Sequence, residues 1–240
     1  MKNLLYTALF GSLLIFSSCK DEEIPATMAM TIELEHVLDG QTLELNGKSF
    51  TLPSGEDFTP KKFKYYISNV ELRNSVSGEN YVEPDSYHLI SEDGNKSIDL
   101  GMVPSSNYDQ LVFSIGVDEV ANGKTDQTGD LDPNSDMAWN WNTGYKFLVF
   151  EGEFTNSTTG DRQGLILHIG TNPNYKTITQ SLSGVRAGKS TEITLSANLD
   201  ELFKDPNTLQ LSELESTTIM FGENAGKVAE NYSEGFITVK

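Results

Sequence analysis

The sequence predicts an all-β fold: an antiparallel β-sandwich with short peripheral helices. Its segments alternate apolar and polar side chains, as in MTIELEHV at residues 30–37, which is the pattern of a strand with one buried face. Turn-forming sequences such as DG, NG and TTGD separate these segments. At least eight such strands follow one another, a series that is typical of a sandwich.

The predicted strands run through most of the chain and are rich in β-branched and aromatic residues. After residues 30–37 they occupy residues 63–73, 87–90, 110–118, 145–154, 164–170, 190–199, 217–221 and 235–240. Two brief helices are expected beside them. One covers residues 198–204, where Asn198 or Asp200 would be the cap, and the other covers residues 224–232.

The first residues resemble a lipoprotein signal. Residues 1–18 place one lysine before an apolar run that is shorter than the roughly 20 residues of a membrane-spanning helix. Cys19 follows FSS, as in a lipobox, and we expect its thiol to be lipidated after cleavage. Residues 19–29 then form an acidic tether and residues 30–240 form one domain. These features predict an outer-membrane lipoprotein of the cell envelope, either surface-exposed or facing the periplasm.

The composition argues against several kinds of function. The chain carries 17 basic and 35 acidic residues, a net charge of -18, and such a field repels nucleic acid. Cys19 is the single cysteine, so its lipidation leaves no thiol for a disulfide or a thiolate metal site. A metal would have to use nitrogen, oxygen or thioether ligands. No nucleophile elbow, phosphate-binding glycine loop or HExxH helix is present, and we do not expect an enzyme.

Three histidines are the candidate nitrogen ligands for a metal. His36 ends the first predicted strand, His88 lies in YHLI, and His168 lies in LILHIG. The neighbours of His88 make an ordinary strand, and we leave His88 outside the predicted site.

An acidic loop supplies candidate oxygen ligands. Asp130, Asp132, Asn134 and Asp136 fall at alternating positions, which resembles the ligand spacing of a calcium loop. The twelfth position of such a loop would be Trp141 rather than a bidentate glutamate, so an EF-hand is excluded. Three interpretations remain: a plain acidic loop, an irregular calcium site, or carboxylates that support a copper site.

Both tryptophans lie in one short segment, DMAWNWNTG at residues 136–144. Trp139 and Trp141 are two residues apart, so an extended backbone turns both indoles to the same side. Together with the following Tyr145 and with LILHIG further on, this segment resembles the MbnP-like family of copper-binding proteins. The resemblance extends from about residue 30 to the C-terminus.

The resemblance implies a copper site formed by His36 and His168 with one of the two tryptophans, Trp139 or Trp141. A dihaem partner enzyme related to the MauG peroxidases would oxidise that tryptophan to kynurenine. Indole offers a metal little beyond its π-face, whereas kynurenine carries an aniline-type amine beside a ketone. The chain would then act in copper acquisition, storage or delivery. It departs from the family in having no histidine at residues 118–123 and no cysteine pair.

A second class of function uses the same aromatic residues. Trp139, Trp141, Tyr145 and Tyr87 would form an exposed platform on a surface glycan- or protein-binding module. Geometry distinguishes the two hypotheses. Tryptophans that line a pocket with the two histidines favour a metal site, and tryptophans that lie flat on an open face favour glycan binding.

Overall fold

The computed structural model describes residues 24–124, 126–139 and 144–240. The predicted signal segment, Cys19 and Trp141 lie outside these ranges. Within them, no helix has the length and apolar character needed to cross a membrane. The described residues form two β-sheets that face each other across a shared core, and the predicted β-sandwich is confirmed.

Fourteen strands and two α-helices occur in those ranges. The strands are β1 (Thr27–Leu38), β2 (Gln41–Thr42), β3 (Phe50–Thr51), β4 (Asp57–Arg73), β5 (Asn80–Val82), β6 (Tyr87–Ser91), β7 (Ser97–Pro104), β8 (Gln110–Ile115), β9 (Lys146–Thr155), β10 (Arg162–Gly170), β11 (Lys176–Ser181), β12 (Thr191–Asn198), β13 (Thr218–Ile219) and β14 (Ile237–Val239). The α-helices are α1 (Glu119–Asn122) and α2 (Gly222–Glu234). Short 3-10 helices cover Gly129–Leu131, Pro133–Ser135, Asn172–Asn174, Leu199–Phe203 and Leu211–Glu213.

The smaller sheet, sheet A, is built around β1. Its order is β14, β12, β1 and β2, and β7 also pairs with β1. β1 begins at Thr27, within the segment that the sequence assigns to the tether. β12 runs parallel to β1, with Leu195 opposite Leu34 and Ala197 opposite His36.

The larger sheet, sheet B, is built around the 17-residue strand β4. Its order is β11, β8, β4, β9, β10 and β13, while β3, β5 and β6 pair with further parts of β4. β13 runs parallel to β10. Both sheets are therefore mixed, and the expected purely antiparallel arrangement is wrong for two strand pairs. Neither pair is joined by a hairpin, and the alternation of side chains, which led to the prediction, is the same for either strand direction.

The core lies between the two sheets. Alternate residues of β1 are buried there, among them Ile32 and Leu34. Sheet B contributes fully buried aromatic rings, and the centroids of Phe63 on β4 and Phe150 on β9 are 5.5 Å apart. Because each such ring removes a large apolar area from water, this layer supplies much of the stability of the fold.

Both segments that the sequence predicts to be helical form helices. Leu199–Phe203 is a 3-10 helix, and the Asn198 side chain caps it by accepting a hydrogen bond of 3.2 Å from the Asp200 amide. α2 begins two residues before its predicted start and buries Val228 and Tyr232. Its apolar face therefore completes the core.

The outer face of sheet B, the face turned away from sheet A, carries a second hydrophobic cluster beneath residues 117–124 and 126–139. Its members are Tyr66, Val117, Ala121, Leu131, Met137, Tyr145, Phe147 and Val149. Strand alternation separates this cluster from the core, because Tyr65 belongs to the core whereas Tyr66 points outward. The covered outer face holds two of the predicted site residues, His168 and Trp139.

Candidate metal centre

His168 lies on the outer face of sheet B. It stands opposite Val149 of β9, and Val149 in turn stands opposite Lys64 of β4. Its neighbours Leu167 and Ile169 are buried in the core, so alternation along β10 directs the imidazole outward. The side chain is partly buried, and its Nε2 lies 2.8 Å from Oε1 of Glu151 on β9.

The Glu151 contact fixes the role of each ring nitrogen of His168. A carboxylate only accepts hydrogen bonds, so Nε2–H donates to Glu151 and Nδ1 keeps its lone pair. Burial lowers the pKa of His168; the hydrogen bond to Glu151 opposes this shift, and the charges of Lys146 and Lys62 add to it. The imidazole is therefore neutral at pH 7. A neutral imidazole that donates to a carboxylate is the usual state of a histidine that binds a metal.

Trp139 reaches the same face through a short antiparallel contact at the base of its loop. The Trp139 amide donates to the Gly144 carbonyl at 3.0 Å, and the Lys146 amide donates to the Met137 carbonyl at 2.6 Å. The indole is 9% exposed, and its ring centroid lies 6.3 Å from that of His168. The tryptophan and one of the two predicted histidines therefore belong to one cluster.

Gly170 makes room for the indole. A Cβ atom at this position would lie 3.0 Å from Cζ2 and 3.1 Å from Nε1 of Trp139, and 2.5 Å from the Tyr145 carbonyl oxygen. A side chain there would displace one of these groups. The glycine of LILHIG and the tryptophan segment are thus parts of one packing arrangement.

Lys146 completes the cluster. Its side chain is buried, and its Nζ lies 5.9 Å from the Trp139 ring centroid and 3.7 Å from Oδ1 of Asp136. Asp136 also accepts a hydrogen bond from Lys62. Burial lowers the pKa of Lys146, and the charge of Asp136 opposes that shift.

His36 lies elsewhere, inside the sandwich. It is 2% exposed, its Nδ1 is 2.6 Å from Oε2 of Glu92, and its Nε2 is 3.1 Å from the Tyr65 hydroxyl. Its ring also meets the edge of Phe63 at 4.9 Å. Tyr65 and Phe63 point into the core whereas His168 points away from it, so the two histidines lie on opposite faces of sheet B.

A copper ion held by both His36 and His168 does not fit this arrangement. Two nitrogens that share a metal must each lie about 2 Å from it, by analogy with imidazole–zinc bonds, and here a β-sheet separates them. Both nitrogens of His36 already have partners. His168 fits as a single imidazole ligand, with its Nδ1 lone pair available. His88, which the sequence leaves outside the site, bonds Glu83 through Nε2 at 2.8 Å.

The aspartates of the acidic loop have separate partners. Asp130 accepts a hydrogen bond from the Leu89 amide at 2.8 Å, Asp132 accepts one from the Asn134 amide at 2.8 Å, and Asp136 pairs with lysines. Among the residues that the structure describes, no group of three or more His, Cys, Asp or Glu side chains is arranged to hold a metal ion. Asp130 and Asp136 fasten the loop to sheet B, whereas Asp132 caps the 3-10 helix Pro133–Ser135 within the loop.

The aromatic residues of the alternative hypothesis do not form an open platform. Tyr145 is 1% exposed and donates its hydroxyl to the Leu131 carbonyl at 2.6 Å. Tyr87 is partly buried and donates to Asp118. Trp139 is covered, with the Phe221 ring 5.3 Å away. Trp141 lies outside the described residues, and the three aromatic residues that are described do not favour a flat glycan-binding face.

Sequence reasoning did not single out Glu151, Lys146 or Phe221, and it used Gly170 only as part of the LILHIG motif. The alternation of VFEGEF carries a signal for Glu151, because it places this carboxylate on the same face of β9 as Val149, opposite His168. The glycine after His168 is a signal for close packing. Nothing local in the sequence indicates that Lys146 turns toward the indole.

The fold and this cluster define a β-sandwich with a histidine–carboxylate pair and a covered tryptophan on its outer face. The family model of MbnP matches residues 27–221, and the chain belongs to the MbnP family. The solved structure of MbnP from Methylosinus trichosporium is similar, with a TM-score of 0.56 and 16% identity over 78% of this chain and 80% of that chain. At that identity the similarity concerns the fold. A search of curated proteins finds no match.

Proposed function

We propose that this chain is a copper-binding protein of the cell envelope, in which His168 supplies a nitrogen ligand and Trp139 supplies a second ligand after oxidation. The observation that carries the proposal is the contact between these two side chains, whose ring centroids are 6.3 Å apart, with Glu151 orienting the imidazole. Membership of the MbnP family supports the same function.

A single imidazole does not complete a copper site, and oxidised Trp139 would supply a second ligand. Opening the indole ring to kynurenine exposes an amine beside a ketone, and both can bind a metal. Ring opening adds two oxygen atoms, and hydrolysis of the resulting formamide releases one carbon as formate, so the residue ends with one carbon fewer and one oxygen more than tryptophan. The oxidising equivalents come from a partner, for which we propose a dihaem oxidase. Trp139 lies beside His168, and this position favours it for the role, while Trp141 lies outside the described residues.

Copper titration of the purified protein tests the ligand assignment. Cu(I) and Cu(II) are titrated against a competing chelator into the unmutated protein, His168→Ala and His88→Ala. His88 is the matched control, because its Nε2 also contacts a glutamate at 2.8 Å. We expect His168→Ala to weaken binding by tenfold or more and His88→Ala to leave it unchanged. Equal binding by all three proteins would refute the site.

A milder variant tests the orienting carboxylate. Glu151→Gln keeps the size of the side chain but no longer fixes the His168 tautomer, and such partners of metal-binding histidines contribute about 10- to 100-fold in affinity. We expect a loss in that range with the fold unchanged by circular dichroism. An unchanged copper affinity would show that Nδ1 of His168 is not the ligand atom.

Mass spectrometry tests the tryptophan step. Protein isolated from cells that contain the dihaem partner is expected to carry a gain of about 4 Da relative to its unmodified mass, because a covalent modification that removes carbon and adds oxygen changes the mass by that amount. Trp139→Phe should abolish the gain and Trp141→Phe should retain it. A gain that follows Trp141 instead, or none at all, removes Trp139 from the ligand set and leaves His168.

Membrane attachment through Cys19 is part of the same proposal. The protein is expected to partition into the detergent phase with the membrane fraction, and Cys19→Ala is expected to prevent this. Recovery of the unmutated protein in the soluble envelope fraction would argue against lipidation.

A further inference from the structure

Lys146 is a buried cation placed over the face of an oxidisable side chain. It is 7% exposed, and its ammonium lies 5.9 Å from the centroid of the Trp139 ring. Its carboxylate partner Asp136 lies 3.7 Å away and also accepts a hydrogen bond from Lys62, so the two lysines share one carboxylate. The positive charge of Lys146 is therefore only partly neutralised, although the chain as a whole is strongly acidic.

A β-bulge brings Lys146 to this position. Along the β9–β10 pair, Ile169 stands opposite Leu148 but Gly170 stands opposite Lys146, so one residue of β9 is skipped. Without that irregularity, alternation from Leu148 would turn Lys146 toward the core, where an unpaired ammonium is costly. Bulges often re-aim a side chain beside a functional site. Here the bulge aims the ammonium at the indole.

The positive charge of Lys146 makes one-electron oxidation of Trp139 less favourable. An ammonium over a neutral indole is attracted by the negative π-face. Removing one electron from the indole produces a radical cation, and the same ammonium then repels it across a partly buried, low-dielectric space. The cation stabilises the reduced form and destabilises the oxidised form. Lys62, Asp136, Glu151 and His168 surround the pair, but of these only the carboxylates oppose the effect.

We propose that Lys146 is an electrostatic guard of Trp139, a positioning residue that slows one-electron oxidation of this indole. The inference rests on the proposed function for its biological use, since it regulates the same side chain whose oxidation would complete the metal site. The physical effect itself needs neither copper nor the partner enzyme. A ligand or partner that draws the Lys146 ammonium away from the ring would make Trp139 easier to oxidise.

The test uses a small outer-sphere oxidant and the metal-free protein. Hexachloroiridate(IV) takes one electron from the indole and becomes hexachloroiridate(III), and the indole radical cation releases its Nε1 proton to water. The reaction is run on full-length protein in a Trp141→Phe background, so that Trp139 is the only indole. The rate is followed by loss of tryptophan fluorescence, and the modified residue is identified by peptide mass spectrometry.

Lys146→Met removes the charge and keeps the length of the side chain. We expect it to speed oxidation of Trp139 between about twofold and thirtyfold, the range that corresponds to the usual strength of a cation–π contact. Lys146→Arg keeps the charge and should retain the slow rate. Lys62→Met is the matched control, because it removes a lysine that pairs with Asp136, and it should change the rate by less than Lys146→Met does.

A second variant tests the same idea in the opposite direction without touching a buried residue. Asp136 is exposed and has a positive φ of 66°, a conformation that asparagine adopts readily, so Asp136→Asn is expected to fold normally. It removes the partial neutralisation of Lys146 and should slow oxidation of Trp139. Unchanged rates in both Lys146→Met and Asp136→Asn would overturn the proposal. That outcome is independent of the copper titration, which tests the metal site itself.

Discussion

At the scale of single residues, the absence of a side chain at Gly170 decides where the tryptophan lies. The indole of Trp139 and the carbonyl of Tyr145 occupy the space that a Cβ atom would need. The position of the candidate site therefore depends on a residue that has no chemistry of its own.

We predict that Gly170→Ala displaces Trp139 and destabilises the protein by about 1 to 3 kcal/mol, the usual cost of an added methyl group in a well-packed place. Urea unfolding measures the loss, and a red shift of tryptophan emission reports the displaced indole. Gly164→Ala on the same strand is the control, because its Cβ would meet nothing closer than 4.0 Å. An unshifted emission spectrum in Gly170→Ala would contradict the packing described for Trp139.

At the residue scale, strand alternation in the sequence already separates the two histidines that were predicted to share a site. His36 has the same phase along β1 as Met30, Ile32 and Leu34, which are all buried in the core. His168 has the opposite phase to Leu165 and Leu167. The pattern of alternation therefore contained the information that His36 faces inward and His168 outward, and the expectation of a shared site did not use it.

At the scale of structural elements, a buried carboxylate fastens a 3-10 helix to the edge of sheet B. Glu56, which precedes β4, is 2% exposed and accepts hydrogen bonds from the amides of Leu211 and Ser212, at 2.9 and 2.6 Å, and from the hydroxyls of Ser212 and Ser54. Burial alone would raise its pKa, but these hydrogen bonds outweigh burial and lower the pKa below 4.5. Leu211–Glu213 is thus held by charge-assisted hydrogen bonds.

We predict that Glu56→Gln lowers the free energy of unfolding by roughly 1 to 3 kcal/mol, because an amide replaces an acceptor of several hydrogen bonds. The stabilisation from Glu56 is present above its unfolded pKa and is lost as the pH falls through its folded pKa, so the unmutated protein and the variant should converge in acid. Urea unfolding at neutral and acidic pH measures both effects. Glu215→Gln, an exposed neighbour, is the control; a loss as large there would show that the effect is not specific to Glu56.

Most long strands and both helical segments were predictable from local patterns, whereas β7, β11, the direction of strand pairing and the bulge were not. The periodicity of apolar residues and the presence of capping residues are local features of the sequence. They predicted the positions of β1, β4, β9, β10, β12 and α2. Long segments of chain connect β1 to β12 and β10 to β13. The sequence of a strand does not indicate which distant strand it will pair with. The bulge that re-aims Lys146 arises from that tertiary pairing.

At the scale of the whole molecule, His36 links the two sheets. It lies on β1 of sheet A and bonds Tyr65 and Glu92, which belong to sheet B and to the turn after β6. Burial lowers its pKa below the unfolded value of 6.5, while the contact with Glu92 opposes the shift. The unfolded chain therefore takes up this proton at a higher pH than the folded protein does.

The lowered pKa of His36 determines how the free energy of unfolding changes with pH. Above pH 6.5 the His36 contribution is constant, and below it the unfolded state gains protons first, so the free energy of unfolding falls. We predict a decline as the pH is lowered from about 7 to about 5. His168, whose pKa is also lowered, contributes to the same decline, so the measurement is made in a His168→Gln background. There, adding His36→Gln should lower stability at pH 7 and flatten the decline; an unaltered slope would contradict a buried, neutral His36.

The parallel pairing of β1 with β12 has a consequence for biosynthesis. Residues 30–37 find their partners only at residues 191–198, so the central strand of sheet A cannot be completed until most of the polypeptide has emerged. The earlier partner, β7, leaves the other edge of β1 open in the meantime. Such an open edge readily pairs with foreign strands. A newly made chain of this kind therefore depends on being kept apart from its neighbours until its last quarter arrives.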